Sequence, residues 1–247
     1  MDLDDASLEV LPATPERWDD VCAVMTTTGD SGTCWCQWFH LRTTAWKAST
    51  PAQRKATLAE QVCGDDGDGV RTVRRPGDHA DRARPPGVLA YVDGEPAGWC
   101  AVGPRCSYDR LGHSRKLRAA GLLGGPDRHR APDGANSADS PDMPDSRDSP
   151  DDGVWAVTCF VVRAPFRRRG LSVPLLEGAV ALARDGGADV VEGYPVDVTQ
   201  RAKIAYPELY VGTLTTFLAA GFEEVARSAP ARPIVRRAAL GARPTAG

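Results

Sequence analysis

Three places in this 247-residue chain hold side chains that could do chemistry. The first is Arg167-Arg168-Arg169-Gly170-Leu171-Ser172, three cations on a glycine-containing turn. Between a strand and a helix, such a turn aims several backbone N–H groups at one spot. With the positive end of the helix dipole behind them, those groups form an anion site. The second is Glu192, in Val190-Val191-Glu192-Gly193-Tyr194. A carboxylate in so apolar a run must find partners or hold its proton more tightly, which makes it a candidate general base. The alternative is a glutamate on the solvated face of a sheet. Strand alternation puts Glu192 and Tyr194 on one face, Val191 and Gly193 on the other. Asp197, just past the strand, is a second carboxylate.

The third place is Cys34-Trp35-Cys36-Gln37-Trp38-Phe39-His40. Cys34, Cys36 and His40, with Cys63, are metal-ligating types, but Cys-x-Cys is not the usual spacing of a zinc knuckle and no second close pair follows. No metal is expected. A cysteine nucleophile served by His40 or His113 is not singled out by spacing. Cys22, Cys63, Cys100 and Cys159 sit in apolar runs, where inert thiols are normal.

The elements that must position these groups are legible from pattern. A strand at 8–11 precedes a helix that starts at Thr14-Pro15-Glu16, with Thr14 as N-cap, and carries Trp18, Val21, Cys22 and Met25 on one face. Thr50-Pro51 opens a second helix, which runs to Cys63 and stops at Gly64. Asp93-Gly94 joins β-rich runs at 87–92 and 97–102 as a hairpin. One short helix is expected within 108–123. A buried strand at 154–162 leads through the basic turn into an amphipathic helix ending near Asp185, then a strand at 189–195. A helix at 210–220, stopped by Gly221, and strands at 222–227 and 234–237 complete the chain. The order is β-α-α-β-β-β-α-β-α-β-β, a mixed α/β sheet with helices on both faces, and the whole chain reads as one domain.

Two segments cannot bury enough apolar surface to offset the entropy of ordering them. They are a polar loop at 65–86 and an Asp-, Pro- and Ser-rich insertion at 124–152. The tail, 238–247, is expected to fray. The net charge of −3 gives no case for nucleic acid. No signal layout and no membrane-length apolar run are present. Seven cysteines, an odd number, point to reduced thiols and a cytoplasmic setting.

The element order and three local features resemble the GNAT acetyltransferase superfamily, from about residue 8 to residue 237. The features are Val-Arg-Ala-Pro-Phe-Arg-Arg-Arg-Gly-Leu-Ser (162–172), Gly-Trp-Cys-Ala-Val (98–102) after the Asp-Gly hairpin, and Phe-Leu-Ala-Ala-Gly-Phe (217–222). The first matches the superfamily's [Q/R]-x-x-G-x-[G/A] in Arg167 and Gly170, and departs from it at Ser172. The resemblance implies acetyl-CoA between the strands at 154–162 and 189–195. There the backbone of Phe160, Val161 and Val162 would meet the pantetheine. The amides of Arg168, Arg169, Gly170, Leu171 and Ser172 would hold the pyrophosphate, and Arg167 would add positive potential. It also implies transfer of an acetyl group to an amine of a small molecule, peptide or protein.

Many members keep a tyrosine as leaving-group acid four residues before the glycine that ends the fourth helix; here that residue is Phe217. Tyr210 or Tyr206 would have to stand in, unless both merely pack. The absence of that phenol leaves a second implication open: an acyl-CoA-binding sensor or interaction protein without transfer activity. Trp35, Trp38 and Phe39 fall where the fold borders its acceptor, so they either wall that pocket or cap the core.

Overall fold

The computed structural model describes residues 6–26, 31–64, 84–123, 153–201 and 203–239. The insertion at 124–152, the polar loop up to residue 83 and the tail from residue 240 lie outside the described residues.

The apolar runs of the sequence become one seven-stranded sheet in the order β1-β2-β3-β4-β5-β7-β6. The strands are β1 (Leu8–Pro12), β2 (Gly87–Val92), β3 (Glu95–Pro104), β4 (Val154–Val162), β5 (Val190–Gly193), β6 (Glu223–Ala229) and β7 (Arg232–Ala238). Among the described strands, only β4 and β5 pair with each other in parallel. Parallel pairing needs a crossover, and α7 (Ser172–Asp185) supplies it. Every residue of β2 is buried, as it must be with helices on both faces.

One face, here called the back, receives α7 and α8 (Leu214–Ala219). Leu175, Leu176, Ala179 and Phe217 pack there against Val88, Cys100, Val157 and Phe160. The front face receives α1 (Trp18–Thr26), α2 (Ser31–Cys34), α3 (Thr43–Ala48) and α4 (Pro51–Cys63). Val21, Met25, Leu58 and Trp35 pack there against Leu89, Trp99 and Val161. Further along, α5 (Asp109–Gly112) and α6 (Arg115–Ala119) set Leu111 and Leu117 against Ala156 and Ile234.

Where the structure departs from the expected elements, local chemistry explains it. Thr50 caps α4 as expected, its Oγ1 accepting from the Gln53 N–H at 3.2 Å, and the Gln53 side chain completes a capping box not anticipated from the sequence. Thr14 makes no such cap. That side chain instead accepts from Arg17 at 2.7 Å, and residues 15–17 form a 3-10 turn ahead of α1. α2 and α3 are additional short helices, and the single helix expected in 108–123 is split into α5 and α6. α8 begins at Leu214 rather than at 210. Gly212 takes φ +80° and Thr213 caps the helix, so residues 206–211 are left as a 3-10 turn. β7 reaches Ala238, which pairs with Val190, so the fraying expected from residue 238 does not begin there. No helix among the described residues is long and apolar enough to cross a membrane, and all seven cysteines are free thiols.

The tightest register between sheet and helix layer is at Gly193, where an added Cβ would lie 2.2 Å from Cε1 of the fully buried Phe217. Gly193→Ala is therefore expected to destabilise the fold by about 1–3 kcal/mol through overpacking. Urea denaturation reads this directly, and an unshifted midpoint would mean that Phe217 yields freely.

Candidate active site

β4 and β5 share only four rungs, from Val154↔Val190 to Val157↔Gly193. Beyond Val157, β4 continues to Val162, paired to β3 from Cys159 onward, while the chain after Gly193 turns away. The strands therefore open into a V. The 3-10 turn Tyr206–Val211 lies against the outer half of β4 and closes the far side. Thr158 is an extra residue in β4: Ala101 pairs with Cys159 and Val102 with Val157, so Thr158 forms a bulge where the opening starts.

The basic turn lies at the outer end of this V. Pro165 begins a short 3-10 turn (Ala164–Phe166), after which Arg168 and Gly170 both take positive φ, +59° and +82°. That alternation folds the backbone over so that its amides converge ahead of α7. The first amides of a helix have no intrahelical acceptor, and the dipole adds positive potential. A Cβ on Gly170 would meet no protein atom within 4 Å, so the glycine faces open space. Arg167 Nε donates to the Val162 carbonyl at 2.9 Å, and its guanidinium lies 5.1 Å from the Tyr206 ring centre. This ties the turn to the end of β4.

A cleft of about 210 Å³ results, lined by Phe160, Val162, Arg167, Arg168, Gly170, Leu171, Ser172 and Tyr210 among others. These are the residues read as cofactor-binding, with two exceptions. Val161 alternates to the front face and is buried near Trp99. Arg169 is turned toward the Phe166 ring at 5.7 Å. Phe166 also lines the cleft, as do Tyr206 and Leu209 on its far side, and none of the three was read as cofactor-binding. The last two come from a turn whose place depends on the Val196↔Thr213 bridge, a long-range pairing without a local signature.

Tyr210 lines the cleft and also packs against the front cluster that holds Cys159 and Val161, so it spans the opening. Phe217 is fully buried, edge-on to Phe160 at 5.9 Å and to Phe222 at 5.0 Å. The three front aromatics do not form a single wall. Trp35 is 4% exposed and packs with Trp18 in the core. Trp38 is 42% exposed, between Trp46 and the Arg110 guanidinium. Phe39 stacks on Tyr194 at 6.4 Å, close to the end of β5. His40 points its Nδ1 at the Ser107 carbonyl, 3.0 Å away; burial lowers its pKa and keeps the ring neutral.

Glu192 lies at the root of the V and is 0% exposed, which removes the solvated-face reading. Its carboxylate accepts from Arg105 Nη1 at 3.2 Å to each oxygen, from Arg236 Nε at 2.7 Å and from the Tyr194 hydroxyl. Burial foremost, then the Glu192 charge, raises the Tyr194 pKa, so the phenol stays a donor. Asp197 caps the next turn through Thr199 and pairs with Arg227 at 2.8 Å. Those contacts lower its pKa and hold it as a structural carboxylate.

Removing the Glu192 charge would break its buried ion pair with Arg105, itself 1% exposed. Breaking a buried pair this way is strongly destabilising. Glu192→Gln is expected to cost about 3 kcal/mol of folding free energy. Chemical denaturation tests this, and wild-type stability would show that the arginines are held without the charge.

No family model matches this chain, and no curated protein is similar to it. Solved structures are similar to it along most of the chain. The GNAT domain of PAT from S. lividans is 15% identical with a TM-score of 0.43, over 94% of this chain and 90% of that one. An N-acetyltransferase from Staphylococcus aureus Mu50 is 12% identical with a TM-score of 0.43, over 95% and 99%. The paia N-acetyltransferase from Thermoplasma acidophilum, in complex with coenzyme A, is 8% identical with a TM-score of 0.42, over 94% and 99%.

Proposed function

We propose that this chain is an N-acetyltransferase that moves an acetyl group from acetyl-CoA to an amine. The observation that carries the reading is one continuous cleft: parted strands, an amide-rich basic turn at a helix N-terminus, and a tyrosine across the opening. The parts fit the cosubstrate's chemistry. The amides of Gly170, Leu171 and Ser172 suit a pyrophosphate, which needs N–H donors and close backbone approach. Arg167 and Arg168 supply positive charge beside it. The unpaired edge of β4 suits the amides of an extended pantetheine arm, as a sheet edge suits an added strand.

Acetyl-CoA supplies an activated acyl carbon and a thiolate leaving group. This chain must then orient the acyl group, admit an amine and return a proton to the thiolate. Tyr210 is the phenol that lines the cleft, and it takes the acid role that Phe217 lacks the hydroxyl to fill. Glu192, its oxygens engaged by Arg105, Arg236 and Tyr194, anchors the root of the cleft rather than acting as the base. The acceptor approaches on the front face, where Phe39 against Tyr194 is the aromatic closest to that root. A small-molecule amine and a peptide amine both match this opening.

Two measurements test the reading. Gly170→Val puts a β-branched residue at φ +82° and a side chain into the cleft, so coenzyme A affinity should fall at least about tenfold in titration calorimetry. Equal affinity would remove the turn from the site. Tyr210→Phe should leave coenzyme A affinity unchanged and lower kcat by about 10²-fold with an amine panel, read as free thiol released. An unaltered kcat would assign the acid elsewhere.

A further inference from the structure

Two stretches of this chain lack carboxylates altogether. Of its 33 acidic residues, none falls within 31–59 or within 110–123, although Asp30, Glu60 and Asp109 lie at the borders. The same two stretches hold eight arginines and lysines. The fold brings them together beside the cleft root. Arg110 of α5 donates from its backbone N–H to the Phe39 carbonyl at 3.0 Å, from Nε to the Trp38 carbonyl at 2.8 Å and from Nη2 to the Leu41 carbonyl at 2.7 Å. Its guanidinium also lies 3.8 Å from the Trp38 ring centre.

Some of these cations hold the fold and others do not. Arg110 is committed to carbonyls. Arg54 lies 4.0 Å from the Trp46 ring centre and donates to the Ser49 and Thr50 carbonyls. Arg42, Lys47, Arg115 and Lys116 are exposed and enter no ion pair among the described residues. Like charges gathered without counter-ions repel one another, so such a face favours a partner of opposite sign.

Its shape suits a chain more than a lone ion. A concavity of about 600 Å³ runs along α3, lined by Arg42, Thr43, Thr44, Ala45 and Ala48. Trp38 is exposed beside it, edge-on to Trp46 at 5.0 Å. A tryptophan braced by a second ring and a guanidinium is a rigid apolar contact of the kind that anchors interfaces. The next residue, Phe39, stacks on Tyr194 close to the end of β5. The charged face therefore begins one residue from the ring nearest the cleft root.

We infer that this face docks an acidic polypeptide whose amine is the acetyl acceptor. This rests on the acetyl-CoA reading above and narrows its acceptor to a peptide or protein amine flanked by aspartate or glutamate. Carboxylates of the acceptor pair with Arg42, Lys47, Arg115 and Lys116, an apolar side chain packs on Trp38, and the amine enters past Phe39. Each exposed pair contributes little alone. Several of one sign raise the encounter rate and fix orientation, and salt screens them. A polypeptide also brings an aliphatic amine, whereas the exocyclic amines of nucleobases are conjugated and poor nucleophiles. The net charge of −3 opposes a uniform polyphosphate at long range.

The test uses the full chain, acetyl-CoA and two short peptides with blocked N-termini, each holding a single lysine, flanked by aspartates in one and by asparagines in the other. At low salt kcat/KM should be at least about tenfold higher for the aspartate peptide, and the two should converge as salt rises. In the double variant Arg42→Glu/Arg115→Glu the preference should vanish through KM, with kcat and coenzyme A affinity unchanged. Fluorescence anisotropy of the labelled aspartate peptide needs no turnover and should show the same loss of binding. If the wild type handles both peptides equally, or the double variant keeps the preference, the inference fails while the acetyl-CoA reading stands. Tighter binding of single-stranded DNA than of the aspartate peptide would also overturn it and assign the face to nucleic acid. If the wild type neither binds coenzyme A in titration calorimetry nor acetylates any amine, the acetyl-CoA reading fails and takes the inference with it.

Discussion

The parting of β4 from β5 is the constraint on which the rest of this structure depends. Two parallel strands that stay paired present no opening; here pairing ends at Val157↔Gly193. Several contacts converge on that last rung and forbid a fifth. Phe217 occupies the space beside Gly193 on the back face, and the Thr158 bulge shifts β4 out of phase on the other edge. On the front, Glu192 is fastened to Arg105, Arg236 and Tyr194. The V is thus held open by packing on one face and charge on the other. It does not rely on a loose loop.

Positive charge is used in two different ways along this sheet. Arg105 and Arg236 are committed to one carboxylate, and what they contribute is the geometry of the cleft root. Desolvating those ions costs free energy that only complete pairing offsets. Arg167 and Arg168 line the cleft at its mouth, beside amides that the alternating backbone has aimed together. One arginine-rich composition therefore yields a buried cluster and an exposed basic turn.

Much of this was legible in the residues. The Asp93-Gly94 hairpin, the Thr50-Pro51 start of α4 and the run into α7 are local patterns, and each formed where its chemistry indicated. Misplaced features depend on contacts far apart in sequence. Tyr210 reads as the start of a helix, but Gly212 and the Val196↔Thr213 bridge leave it in a turn across the cleft. Trp35, Trp38 and Phe39 read as one aromatic unit. Positive φ at Trp35 and Cys36 turns the backbone there, and the three rings end in the core, at the surface and against Tyr194. Glu192 was visible as a carboxylate needing partners, but Arg105 lies 87 residues away and no spacing could nominate it.

By itself, then, the sequence determined where the strands fall along the chain, the two-sided burial of the sheet and the basic turn ahead of α7, because hydrophobic period, caps and glycine conformation act over a few neighbours. Only the tertiary structure decided which polar groups are consumed by pairing and which remain for a ligand. Glu192 shows this, since its carboxylate accepts from three side chains. Burial and partner geometry are long-range properties, and they separate the residues that hold the cleft from those that face it.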